Sequence, residues 1–60
     1  MHKFRISITY VDGQGDIATL TSVNEDVLKE WIKGQDWIEC EDSGRFTNMK
    51  AVKYFYIDKV

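Results

Sequence analysis

The side chains that could do chemistry are few and scattered. Cys40 is the only cysteine and His2 the only histidine in the chain. No motif sets a serine or cysteine beside His2. A structural zinc site takes about four Cys or His ligands, and only these two are present. Glu39 and Glu41 stand two apart, which puts both carboxylates on one side of a strand. Paired carboxylates can act as acid and base, but a solvated strand face is the simpler account of this pair. Cys40 alternates with Ile38 on the apolar side of the same segment, where it reads as a small buried hydrophobe rather than a nucleophile.

Asp12, Gln14 and Asp16 offer oxygens at alternate positions, as calcium loops do, but the rest of that spacing and its terminal bidentate glutamate are missing. The same acids repel phosphate, so the two glycines among them do not make a phosphate cradle. A hairpin turn is the better reading. The chain is therefore expected not to be an enzyme and to hold no cofactor and no metal.

Aromatic and charged residues are more informative. The last segment, Met49 to Val60, places Val52, Tyr54 and Tyr56 on one face and Phe55 and Ile57 on the other. Both faces are apolar or aromatic, so such a strand needs cover on both sides. Asp36, Glu39, Glu41 and Asp42 lie close together with no base among them, and Trp37 sits in their midst. Beyond them Arg45, Lys50, Lys53 and Lys59 outnumber Asp58. A tryptophan flanked by charge is a common interface anchor. Equally, it can be a ring covering the sheet with acids in water.

The elements that must position these residues can be read from periodicity. Lys3 to Val11 alternates, with Phe4, Ile6, Ile8 and Tyr10 on one face. Asp12 to Asp16 is a turn, and Ile17 to Val23, rich in Thr and β-branched residues, is a second strand. A three-residue loop Gly13-Gln14-Gly15, with Gly15 left-handed, sets Ile8 opposite Leu20 and Tyr10 opposite Ala18. An Asp12-Gly13 two-residue turn would set Leu20 against Arg5, which burial disfavours. Asn24 to Lys33 reads as a helix with Asn24 as N-cap, Glu25 and Asp26 against the dipole, and Gly34 following the C-cap. Its apolar stripe is Val27, Leu28, Trp31 and Ile32. Trp37 to Glu41 is a third strand. A loop Asp42-Ser43-Gly44 would pair Glu41 with Arg45 and Cys40 with Phe46. The chain then kinks around Asn48-Met49-Lys50 and ends in a strand from about Val52. The expected fold is α+β: one domain over residues 1–60, order β-β-α-β-β, a small antiparallel sheet of four strands (five if the last is broken) with one helix on one face.

Size and charge narrow the function classes. A hydrophobic share of 43% with 30% charged residues and no proline describes a globular chain rather than a disordered one. A single core of this size supports only ~3–5 kcal/mol of stability, and the usual supplements are disulfides, metals or association. The first two lack residues, so a protein partner or a homodimer is expected. A net charge of −2 argues mildly against nucleic acid, whose binders are usually basic. No stretch approaches the ~18 apolar residues of a membrane span, and the N-terminus lacks a signal peptide's apolar run. A cytoplasmic location follows, and a single free cysteine suits a reducing compartment.

Compactness, acidity and the shortage of catalytic groups resemble those of small accessory proteins of bacteria and their phages. Many of these work by occupying a surface on a larger protein. That resemblance of type implies an inhibitor or adaptor, with Trp37, Glu39, Glu41, Tyr54 and Tyr56 as contact residues. The alternative is a nucleic-acid-binding module in which Tyr54 and Tyr56 stack on bases and Lys50 and Lys53 meet phosphates.

Overall fold

The computed structural model describes residues 1–60. The elements are β1 (His2–Tyr10), β2 (Gly15–Ser22), α1 (Glu25–Lys33), β3 (Trp37–Glu39), β4 (Phe46–Asn48), a 3-10 turn (Met49–Ala51) and β5 (Val52–Lys59). The class is α+β, as expected. The strands do not form one four-stranded sheet. They form a three-stranded antiparallel sheet in the order β2-β1-β5 and a separate two-stranded ribbon, β3-β4.

The break at the 3-10 turn explains that division. The Asn48 side chain accepts a hydrogen bond from the Lys50 N–H at 3.0 Å, so the carboxamide competes with the strand ladder and turns the chain. Ala51 then offers its carbonyl to the Val11 N–H at 2.9 Å. This delivers β5 to the free side of β1, while β4 stays paired with β3.

The first hairpin corrects the expected register. Phe4 lies opposite Leu20, Ile6 opposite Ala18 and Ile8 opposite Asp16. The loop is Val11-Asp12-Gly13, closed by Gly13 N–H to Tyr10 O at 2.9 Å and Tyr10 N–H to Gln14 O at 2.8 Å. It has three residues, but Gly13, at φ 91°, supplies the left-handed turn, and Gly15 does not. Asp12 accepts from the Gln14 N–H at 2.9 Å and fixes the bend. Each strand nonetheless keeps its expected inner face. Phe4, Ile6, Ile8, Ala18 and Leu20 are buried, and Tyr10 packs against them.

In the second hairpin the register moves by one. Ile38 lies opposite Thr47 and Glu39 opposite Phe46. The expected pairs Glu41–Arg45 and Cys40–Phe46 do not form. Cys40 N–H donates to Arg45 O at 2.9 Å across a four-residue loop, with Gly44 left-handed at φ 71°. A slip of one inverts a strand's faces, so Thr47 is buried and Phe46 is exposed.

The helix begins as its sequence dictates. Asn24 accepts from the Val27 N–H at 2.8 Å, with Glu25 and Asp26 in the first turn. Gly34 is itself the C-cap and is right-handed, with φ −91°. Leu28 and Ile32 are buried, whereas Val27 and Trp31 are exposed, so the buried stripe is half as wide as expected. Ile6, Ile32 and Ile38 are the largest fully buried side chains. They come from the sheet, the helix and the ribbon, and each contributes roughly 1.5–3 kcal/mol. They pin the three layers to one core. The radius of gyration, 10.6 Å, is close to the ~10 Å of a compact chain of this length. No helix is long and apolar enough to cross a membrane.

Candidate functional site

Register decides which rings are covered. On β5, Phe55 and Ile57 lie opposite Ile8 and Ile6 and share their inner face, while Tyr54 and Tyr56 lie opposite Thr9 and Ser7 on the other. The helix and ribbon occupy the inner side, so nothing in the chain covers the tyrosines. Tyr54 is 46% and Tyr56 65% exposed. Their rings meet edge to face, with centroids 5.6 Å apart and planes at 63°, a favoured aromatic geometry. Ile17 lies across Ser7 from Tyr56, because Ser7 pairs with both. It too is exposed. The result is an apolar strip on a rigid sheet face, flanked by Ser7, Thr9 and Thr19. Arg5 and Asp58 face each other at its end.

The remaining predicted contact residues lie elsewhere. Trp37 and Glu39 point outward from the ribbon, since Ile38 between them is buried. The structure adds Phe46, directly opposite Glu39 and 62% exposed. Apolar pairing of Phe46 with Cys40 had hidden it. Tyr54 and Tyr56 thus form one group, Trp37, Glu39 and Phe46 another, and the two face out from different layers. A third patch, Val23, Val27 and Trp31, runs along the exposed flank of α1; the four-residue spacing carried the signal for it.

Glu41 has a different role. Its carboxylate accepts from the Thr21 N–H at 3.0 Å and the Thr21 hydroxyl at 3.1 Å, and its own N–H donates to Thr19 O at 2.9 Å. Cys40 Sγ accepts from the Thr19 N–H at 3.3 Å. A hydrogen bond from the Ser43 side chain, followed by the Ser43 and Thr19 amides, lowers the Cys40 thiol from its usual value to about 7, against the opposing effect of burial. The sulfur is a buried acceptor that holds β2 to the ribbon loop.

Asp16 is similarly occupied. It accepts from the Ile17 N–H at 2.8 Å, from the Tyr10 hydroxyl at 3.0 Å and from Arg45. Burial raises the Tyr10 phenol above its ordinary value. Asp12, Gln14 and Asp16 therefore serve the turn and its neighbours.

Of the cations proposed for nucleic acid, Lys53 precedes Tyr54 at the point where β5 shifts register against β1, and Lys50 lies 4.0 Å from Asp36. No protein-family model, curated protein or solved structure matches the chain.

Proposed function

We propose that this chain is a small protein-binding module, of the inhibitor or adaptor kind, that works by covering a surface of a larger protein. Tyr54, Tyr56 and Ile17 form the centre of the contact. The observation that supports this reading is the exposed tyrosine pair, fixed in edge-to-face geometry on a three-stranded sheet that its own chain covers on one side only. Tyrosine presents a large contact area at low conformational cost, and interface energy concentrates in such rings. Trp37, Glu39 and Phe46 are a second contact patch. Glu41 works indirectly, by holding the ribbon loop in place. A homodimer burying the tyrosines against themselves is a special case of the same reading.

The test is purification from the organism that encodes the chain, comparing the native protein with a Tyr54→Ala/Tyr56→Ala double variant. The expected result is a protein partner, or a second copy, held in simple stoichiometry by the native chain and lost from the variant. Unfolding should be unchanged. Retention of nucleic acid, removed by nuclease and by salt, would replace the reading. Capture that ignores both substitutions would end it.

A further inference from the structure

Two hollows flank the helix, and their charges differ. The larger, about 820 Å³, lies between α1 and the edge of β5. There Tyr54, Tyr56 and Asp58 bond β1, and Phe55, Ile57 and Lys59 turn their amides outward. Ser7, Tyr54 and Tyr56 line this groove too, so it continues the tyrosine strip. Its unpaired charges balance, Lys29 and Lys53 against Glu25 and Asp58.

The smaller hollow, about 310 Å³, lies on the other flank, between α1 and β2. Leu20 and Leu28, both buried, form its floor, and the exposed Val23, Val27 and Trp31 its walls. Glu41 is the one charged side chain that lines it. Thr21 fixes this carboxylate: its N–H and its hydroxyl both donate to Oε2, at 3.0 and 3.1 Å. Oε1 takes neither of these bonds, and no cation of the chain pairs with Glu41. Lys3, opposite Thr21 in the ladder, is held by Asp42 at 3.1 Å. His2, opposite Ser22, is not part of the lining.

An apolar hollow with one fixed, unpaired carboxylate suits an organic cation. Burial rewards the apolar body, and a charge-assisted hydrogen bond rewards the ammonium. We propose that this pocket binds a small organic amine, an ammonium carried on a compact apolar body. The ammonium donates to Glu41 Oε1, and the body packs against Trp31, Val27 and Leu28.

The neighbouring edge decides against an extended protein segment. Such a segment gains its hold from free main-chain groups beside its pocket. Here the outward amides of Ile17, Thr19 and Thr21 are already bonded to Asp16, Cys40 Sγ and Glu41. What remains is a hollow at the lower end of the ~300–1,000 Å³ of small-molecule sites. It shares no residue with the tyrosine contact and does not depend on it.

The experiment titrates the full chain, followed by amide and indole NMR, with phenethylamine, phenethyl alcohol and phenylacetate. These share a ring and differ in charge. The amine should saturate at roughly millimolar concentration, with shifts at Thr21, Val23, Val27 and the Trp31 indole. The alcohol should bind at least about tenfold more weakly, and the acid more weakly still. Glu41→Gln keeps an acceptor for Thr21. It should lower affinity for the amine about tenfold and leave that for the alcohol unchanged. Trp31→Ala should weaken both, and the isosteric ligands keep the test valid if that variant does not fold. Tyr54→Ala/Tyr56→Ala should change neither, so failure of the tyrosine reading leaves this result standing. Nα-acetyl-lysine amide, the stand-in for a lysine of a partner protein, should bind more weakly than phenethylamine. Absence of a saturable shift, equal binding of alcohol and amine, or indifference to Glu41→Gln would overturn the proposal. So would tighter binding of the blocked lysine, which would assign the pocket to a protein-borne cation.

Discussion

The two edges of the three-stranded sheet are finished differently. On β2 each outward amide has an acceptor: Ile17 bonds Asp16, Thr19 bonds Cys40 Sγ, and Thr21 bonds Glu41. The Thr19 carbonyl is taken by the Glu41 N–H. On β5 the outward groups of Phe55, Ile57 and Lys59 meet no other strand. An exposed edge is a template for pairing with another chain, and proteins commonly close one they do not use. This chain spends a ribbon, a buried thiol and a carboxylate on closing β2. It leaves β5 open beside an apolar groove. The contrast directs attention to β5 as the working edge.

Removing the ribbon's anchor is the most severe way to break the contrast. Ile38 is buried at the junction of ribbon and sheet. Ile38→Ala is expected to cost about 2–5 kcal/mol, which is most of the stability of a domain this small. Denaturant unfolding should show it, with faster exchange at Thr19 and Thr21 before the rest of the sheet. The loop is the next target. Gly44→Ala forces a side chain into a left-handed conformation and should cost about 1–2 kcal/mol. Gly34→Ala, at φ −91° with only ordinary contact at 3.7 Å to Trp31 O, should be neutral or slightly stabilising.

Smaller changes sharpen the comparison. Glu41→Ala removes one carboxylate from the β2 edge and should cost on the order of 1 kcal/mol, with loss of protection at Thr21 alone. The Cys40 thiol adds a pH dependence. Its value in the folded chain, about 7, lies below its ordinary 9.0, so the unfolded chain binds the proton more tightly. Stability should therefore rise between about pH 7 and 9, and the gain should be lost as pH falls through 7. Chemical denaturation across that range should show the slope, and Cys40→Ala should flatten it. Least of all, Tyr56→Ala should shift stability by no more than about 0.5 kcal/mol, because the ring stands in solvent. A larger loss would mean that the tyrosine strip is structural.

Strand faces were legible in the sequence because their period is two and the core selects them. Phe4, Ile6, Ile8, Ala18 and Leu20 all lie where alternation puts them. The helix start was legible because Asn24 has a specific local partner. Loop register was not. In the first hairpin, a loop over Gly13-Gln14-Gly15 and one over Val11-Asp12-Gly13 bury the same residues, so hydrophobicity could not choose between them. The choice rested on which glycine turns left-handed. In the second hairpin hydrophobicity misled. Matching Cys40 with Phe46 made an apolar pair, but the chain gives Cys40 hydrogen-bond donors and buries Thr47 opposite Ile38.

The candidate site was legible in part. Alternation predicted that Tyr54 and Tyr56 share a face, and the pairing of β5 with β1 determined that this face is the bare one. Glu41 looked like a free acid because its partner, Thr21, is distant in sequence. The open β5 edge left no mark at all. Which strand lies outermost depends on topology, and the 3-10 turn at Met49–Ala51 that sends β5 to β1 is a single local event.

Amide hydrogen exchange on the isolated chain, followed residue by residue at two or more concentrations, tests the edge contrast directly. The account predicts slow exchange at Thr19 and Thr21 and fast exchange at Phe55 and Ile57, independent of concentration. Protection of Phe55 and Ile57 equal to that of the β2 amides would contradict it.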